Sequence, residues 1–189
     1  MEYLIRPVRA DEWRKAREIR LAALRDPAAP VAFLDTYEAA VARPDAHWRE
    51  RAAVVAEGSD RAQQFVAEAP DGSWAGTVTV LVERPGGETR FGEAPKVDQT
   101  HVVGVYVRPE ARGGAVAEGL FRAALEWSWS LVGAPIQRVR LYVHERNGRA
   151  EAFYRKAGFV PSGASLPVEG DGSGALELEY EVRRPPVTG

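Results

Sequence analysis

The chain contains no cysteine, which excludes a disulfide framework, cysteine-ligated zinc and any acyl-enzyme formed on a thiol. Its three histidines are scattered, and no metal-ligand spacing emerges, so no metal is expected. No apolar run approaches the roughly 20 residues needed to cross a bilayer. The start, Met1 to Pro7, lacks the basic opening and apolar core of a signal peptide, and a cytoplasmic protein is the default expectation. Neither sign of charge dominates: Lys+Arg 25 against Asp+Glu 27 leaves a net charge of -2. There is thus no global basic field for nucleic acid or an anionic membrane, and no basic cluster interleaved with aromatics. Lysine occurs only at 15, 96 and 156, a bias that carries no functional inference.

What is present suits a folded domain. The 189 residues are 45% hydrophobic and 28% charged, enough apolar material to offset chain entropy. No repeat or linker divides the chain, so a single domain is expected over 1–182. A tail over 183–189, with Pro185 and Pro186, is expected to fray.

Periodicity and turn signals give a coarse order. Tyr3 to Pro7 reads as a strand. Asp11 is placed to cap a helix carrying Trp13, Ala16, Ile19, Ala23 and Leu24 at helical spacing, ended by Pro27 and Pro30. A second helical region over 36–57 breaks near Pro44 and stops at Gly58. Residues 64–69 and 74–82 form a hairpin around Pro70-Asp71-Gly72-Ser73. Residues 84–96 are a long Gly- and Pro-rich connection. Residues 99–107 form a strand, 108–114 a turn and 115–131 a helix with Val116, Leu120, Ala123, Ala124 and Trp127 on its buried side. A strand over 137–143 and a short helix over 148–157 follow. Phe159 starts a sixth strand, 162–174 reads as a loop, and 175–182 alternates as a seventh strand. The pattern is a mixed α/β sheet.

Chemistry concentrates in Val105-Tyr106-Val107-Arg108-Pro109-Glu110-Ala111-Arg112-Gly113-Gly114-Ala115-Val116-Ala117. This stretch runs from a strand through a glycine-bearing turn into a helix start. Such a junction offers unpaired backbone N–H groups at the positive end of a helix dipole, a site suited to phosphate. No Gly-Lys-Ser/Thr ending follows, which excludes a Walker-type loop, and no G-x-G-x-x-G marks a dinucleotide fold. A turn that merely needs glycine would give the same local pattern.

The run Val107-x-Pro109-x-x-Arg112-Gly113-Gly114-Ala115-Val116-Ala117 resembles the acetyl-CoA signature of the GNAT superfamily of N-acyltransferases, with a core of Arg/Gln-x-x-Gly-x-Gly/Ala. A second stretch, from Val143-His144-Glu145-Arg146-Asn147 through Phe153-Tyr154 to Gly158-Phe159, resembles another motif of that family. Together they cover roughly 97–160. The resemblance implies the family's acyl-CoA N-acyltransferase fold, with about seven strands flanked by four or five helices. It also implies an acetyl-CoA-dependent N-acetyltransferase acting through a ternary complex on a primary amine of a small molecule, peptide or protein. A homodimer is compatible with it. Ala115 departs from the pattern where the family has glycine, and is expected to narrow the phosphate pocket. That departure and the lack of an assigned base motivate an alternative, a GNAT-like module that binds acyl-CoA as sensor or scaffold with little turnover.

The resemblance also implies residue roles. Backbone groups of Val105 and Val107 would pair with the pantetheine arm, and amides near Val105–Tyr106 would face the thioester carbonyl. N–H groups of Arg112, Gly113, Gly114, Ala115 and Ala117 would hold the pyrophosphate. Asn147 is placed both to cap a helix and to contact CoA. Tyr154 matches the residue that protonates the leaving thiolate; a phenol ordinarily near pKa about 10 faces a thiol near about 8.5. For the general base, Asp98, Gln99 and His101 lie near the start of the strand leading to the loop, and Glu68 lies on a neighbouring strand. Of these, a histidine has the intrinsic chemistry for the task. His47 and His144 read as structural. The acceptor side falls to 27–45, 84–98 and 162–174. There Asp35, Glu38, Glu93 and Asp98 either favour a cationic amine or are simply solvated.

Overall fold

The structure is a computed structural model and describes residues 2–170 and 172–186. The elements are β1 (Leu4–Pro7), α1 (Trp13–Arg25), α2 (Ala29–Ala32), α3 (Tyr37–Val41), α4 (Asp45–Val54), β2 (Ala62–Glu68), β3 (Trp74–Glu83), β4 (Gln99–Val107), α5 (Val116–Ser130), β5 (Arg138–His144), α6 (Gly148–Lys156), β6 (Val160–Pro167) and β7 (Leu176–Arg183). The strands form one seven-stranded sheet in the order β1-β2-β3-β4-β5-β7-β6. Every neighbouring pair is antiparallel except β4 with β5. No helix among the described residues is long and apolar enough to cross a membrane.

Alternation decides which face each strand residue serves. Val139, Leu141 and Val143 of β5 are buried in the larger core with Val116, Leu120 and Phe121 of α5 and Tyr154 of α6. Leu120 is fully buried, a contribution of about 1.5–3 kcal/mol for one such side chain. Across the sheet, Ile19 and Ala23 of α1 cover Val66, Trp74 and Tyr106. Trp13 and Leu24 of α1 then join Ala40, Trp48 and Ala52 in a third cluster.

The sequence reading is corrected in four places. Asp11 does not cap α1: it sits in a 3-10 turn, Ala10–Glu12, and the carboxylate of Glu12 accepts the Arg9 N–H instead. Pro30 does not end helical structure, because α2 carries it in its first turn, where no intrahelical N–H is required. With α2 and α3 as short extra turns, six helices stand where four or five were expected. Residues 162–167 are strand: β6 is an edge, where proline and a register break between Pro161 and Ser165 are tolerated. Arg183 closes β7, and the Arg184 side chain donates to the carbonyls of Ile136 and Trp129. Residues 187–189 lie outside the described residues.

Two features open the middle of the sheet. Backbone pairing of β4 with β5 is confined to Gln99, Thr100 and His101 opposite Arg138, Val139 and Arg140, although both strands continue well beyond. In addition, Thr77 pairs with Tyr106 while Thr79 pairs with Val103, so β4 carries one extra residue. This bulge contains Gly104 at φ 62, a left-handed conformation that suits glycine. The bulge bends β4 away from β5 and leaves a crevice at the carboxyl ends of the two parallel strands, where α/β sheets place their ligands.

Candidate functional site

A cavity of about 650 Å³ fills this crevice. One end is the turn between β4 and α5. The first helical bond of α5 runs from Gly119 N to the Ala115 carbonyl, so the N–H groups of Val116, Ala117 and Glu118 lack helical acceptors. Gly113 precedes them at φ 77 with open space where a Cβ would stand. Gly113, Gly114 and Ala117 line the cavity. Donors clustered at a helix start, with a glycine surface beside them, fit a pyrophosphate.

Two residues of this loop behave differently from expectation. Arg112 uses its own N–H on the Pro109 carbonyl at 3.3 Å. Its side chain donates to the Val107 carbonyl at 2.8 Å and ion-pairs with Asp26. It buttresses the loop, and its N–H is not free. Ala115 has φ -77 and ψ 0, so its methyl costs no backbone strain, and it is absent from the cavity wall. The expected narrowing of the pocket does not occur.

Along the crevice, the Arg108 N–H bonds to the Ala75 carbonyl on β3. Alternation therefore turns the polar groups of Val107, and of Val105 two residues earlier, away from β3; the Val107 carbonyl is taken by Arg112 Nε. Side chains of Val105 and Val107 pack on the main core, whereas Tyr106 is buried against α1. Asn147 caps α6 by accepting the Ala150 N–H at 3.2 Å and also lines the cavity.

Tyr154 lies on the cavity wall within an aromatic cluster of Phe121, Phe153 and Phe159, whose centroids are 5.5, 5.9 and 6.3 Å away. Burial first, and the nearby Glu177 charge second, raise its phenol well above the usual range. The phenol is thus held protonated.

The four base candidates separate cleanly. Asp98 is ion-paired with Arg84 at 3.0 Å and is not on the cavity wall; the structure does not bring it to the site. Gln99 is fully buried and donates to Glu83. Glu68 is bound by Arg6 and Trp74. His101 does line the cavity, and its Nδ1 lies 2.8 Å from Glu83 Oε1. Burial works to raise the Glu83 carboxyl, but hydrogen bonds from His101 and Gln99 and the Arg140 charge outweigh it and hold it below the usual range. A carboxylate only accepts, so His101 Nδ1 carries the donated proton. Its Nε2 is the atom left for other chemistry. Glu83 was not legible in the sequence, since strand register alone brings it to His101.

Two further groups were missed. Arg20 and Arg51, from α1 and α4, line the same cavity near Gly104. Glu177 lines it opposite His144 in the β5–β7 register, and burial pushes its carboxyl up to about 7. Such a group holds more protons folded than unfolded, where a glutamate has a pKa of about 4.3. It costs nothing below that value, and the cost grows as pH rises to 7. Glu177→Gln is therefore expected to stabilise the fold at pH 8 by an amount on the order of 2 kcal/mol, with a gain about fourfold smaller at pH 5. Urea denaturation at both pH values measures this, and an equal gain at both would contradict it.

Among the described residues no group of His, Asp and Glu is arranged to hold a metal ion. A helix start with N–H groups lacking helical acceptors, a glycine surface and a strand edge meet on one cavity, an arrangement with room and donors for an extended, phosphate-headed ligand. Residues 13–159 match the family model described as Acetyltransferase (GNAT) family. The chain belongs to that family.

Relatives agree on the architecture. The chain superposes on an acetyltransferase of the GNAT family from Streptococcus pneumoniae with TM-score 0.73 and 16% identity, covering 97% of this chain and 100% of that one. A phosphinothricin acetyltransferase from Sinorhizobium meliloti, solved with acetyl-CoA, gives TM-score 0.70 and 18% identity over 97% of this chain and 89% of that one. These likenesses show the fold. A mycothiol acetyltransferase from Salinispora arenicola is 35% identical over 82 residues, which are 43% of this chain and only 23% of that protein's length.

Proposed function

We propose that this protein transfers an acetyl group from acetyl-CoA directly to a primary amine of a small molecule or peptide, through a ternary complex. The observation that carries the reading is one cavity lined by Gly113, Gly114 and Ala117, by Tyr154 and by a histidine oriented by a buried carboxylate. Relatives solved with acetyl-CoA or coenzyme A make acetyl-CoA the co-substrate of choice.

In this reading the backbone N–H groups of Gly113, Gly114 and Ala117 take the pyrophosphate, with Val105 and the Val107 N–H offering strand-like partners to the pantetheine arm. The oxyanion formed at the thioester carbonyl would face the amides near Val105–Tyr106. His101 Nε2 takes the proton of the acceptor ammonium, directly or through water, and the freed amine attacks the carbonyl carbon. The C–N bond forms and the C–S bond breaks, and the thiolate receives the Tyr154 proton. The new amide nitrogen gives up its second proton to solvent, from which the Tyr154 phenol regains one. The apolar surroundings that raise the Tyr154 phenol also raise the proton affinity of a thiolate beside it, which keeps this transfer matched. Asn147 serves as helix cap and ligand contact together. No residue in the scheme needs a metal.

The same reading takes the protein as cytoplasmic, with acetyl-CoA and an amine as partners and a homodimer as the assembly implied by the family resemblance. The alternative, an acyl-CoA-binding module without turnover, gains nothing from Ala115, whose methyl stays off the cavity wall. The test is release of free thiol from acetyl-CoA across an amine panel. Amine-dependent thiol is the expected result. Tight acetyl-CoA binding with no thiol from any amine would favour the module instead.

A further inference from the structure

The end of the cavity away from the phosphate cradle is positively charged and short of partners. One carboxylate there, Asp35, serves several guanidinium groups. Arg43 takes it bidentately at 2.7 and 3.0 Å, leaving Arg20 a loose contact at 3.7 Å. Arg51 has no hydrogen bond or ion pair among the described residues. Arg20 Nε is also buried without a partner. Two cations thus face the cavity while the nearby anion is already neutralised.

The arrangement is costly on its own. Burial first and the Arg51 charge next bring Arg20 down to about 10 against the pull of Asp35. Burial and Arg43 likewise lower Arg51. Like charges held together out of bulk water, with an unsatisfied donor between them, are the mark of a site awaiting an anion. Arg20 and Arg51 also wall a small mixed cavity of about 20 Å³, shared with Trp48, Ala52, Gln64 and Thr77, room for little more than one water. The anion itself must sit on the main-cavity side.

The phosphates of a nucleotide-headed co-substrate are not the natural occupant. Arg20 and Arg43 share Asp35, whereas Arg112 of the cradle pairs with Asp26, so the cavity wall carries two groups of cations, each with its own carboxylate. His101 lines the same cavity, with Phe91 and Tyr142 around its ring.

We propose that Arg20 and Arg51 form a carboxylate subsite and that the acceptor is a small amino acid-like molecule, its amine toward His101 and its carboxylate on the two guanidiniums. A carboxylate matches the planar fork of arginine and would occupy donors that now have no partner. The amine half of this statement rests on the acetyl-transfer reading; the anion half stands on the cavity alone. It also reverses the expectation that acidic loop residues select a cationic amine, because Asp35 is spent on Arg43.

The experiment pairs α-, β- and γ-amino acids with their carboxamides, which keep the amine and lose the charge. Thiol release from acetyl-CoA gives kcat/KM, and calorimetry on protein saturated with CoA gives affinity. The expected acid-to-amide ratio is about 100-fold in the unsubstituted protein, typical of a paired buried charge. R51Q should bring it to within a few-fold, and R51K should restore part of it. Thermal melts of the R51Q and R20Q variants report whether the fold is kept. A ratio near one in the unsubstituted protein, or one that survives both R51Q and R20Q, overturns the subsite. Failure of the transfer reading looks different. If no amine releases thiol, yet amino acids bind and R51Q weakens them, the subsite stands and turnover falls. If neither turnover nor binding separates acids from amides, the subsite is overturned.

Discussion

His101→Gln is expected to lower kcat/KM by roughly 100- to 10,000-fold, the range for loss of a positioned general base. Affinity for acetyl-CoA should stay within a few-fold, since His101 has no place in the phosphate cradle. The reasoning is geometric. Glu83 holds Nδ1 at 2.8 Å, Arg140 and Gln99 hold Glu83 at 2.7 Å each, and the imidazole can present only Nε2 to the cavity. Glu83→Gln keeps the size but loses the obligate acceptor, so the ring is free to take the other tautomer. A smaller fall in kcat, about 10- to 100-fold, with KM for acetyl-CoA unchanged, is expected of this positioning residue. Equal turnover in the histidine variant and the unsubstituted protein would remove His101 from the mechanism.

Tyr154→Phe should lower kcat by roughly 10- to 1000-fold, the scale of a lost general acid. Its ring packs among Phe121, Phe153 and Phe159, and phenylalanine preserves that packing, so stability should hardly change. The discriminating measurement is the leaving group. A co-substrate analogue with a more acidic thiol needs less protonation, and it should recover much of the lost rate in the variant. If the rate loss is the same for both thiols, the phenol is not the proton donor.

How much could be read without coordinates differs between the two ends of the site. The placement of Gly113, Gly114, Ala117 and Tyr154 on one cavity was legible because it is local: a strand end, a glycine turn and a helix start are contiguous, and the spacing from Asn147 to Tyr154 fixes both on one short helix. Seven strands were likewise legible, as alternation and turn residues mark each. The Glu83–His101 pair was not. Its contact follows from antiparallel register, in which Leu81 faces His101 and Glu83 faces Gln99, so the side chains meet diagonally. Arg20 and Arg51 come from different helices, and only tertiary packing brings them to one wall. Asp98 misled for the opposite reason: nearness in sequence to the active strand suggested nearness in space, but Arg84 holds it outside the cavity. Most of β6, residues 162–167, was read as loop because proline and glycine signal a loop unless the strand lies at an edge.

The joint between β4 and β5 sets a limit on how this protein can change over generations. Only Gln99, Thr100 and His101 join the two halves of the sheet through backbone pairs with β5, and Arg140, opposite His101, ties Glu83 on β3 to Glu179 on β7. The residues that orient the imidazole are therefore the same ones that weld the sheet across its weakest seam. On the transfer reading, a change at Arg20 or Arg51 alters what the cavity accepts while the seam stays paired. A change in the Glu83–His101–Arg140 group loosens the fold and the chemistry together.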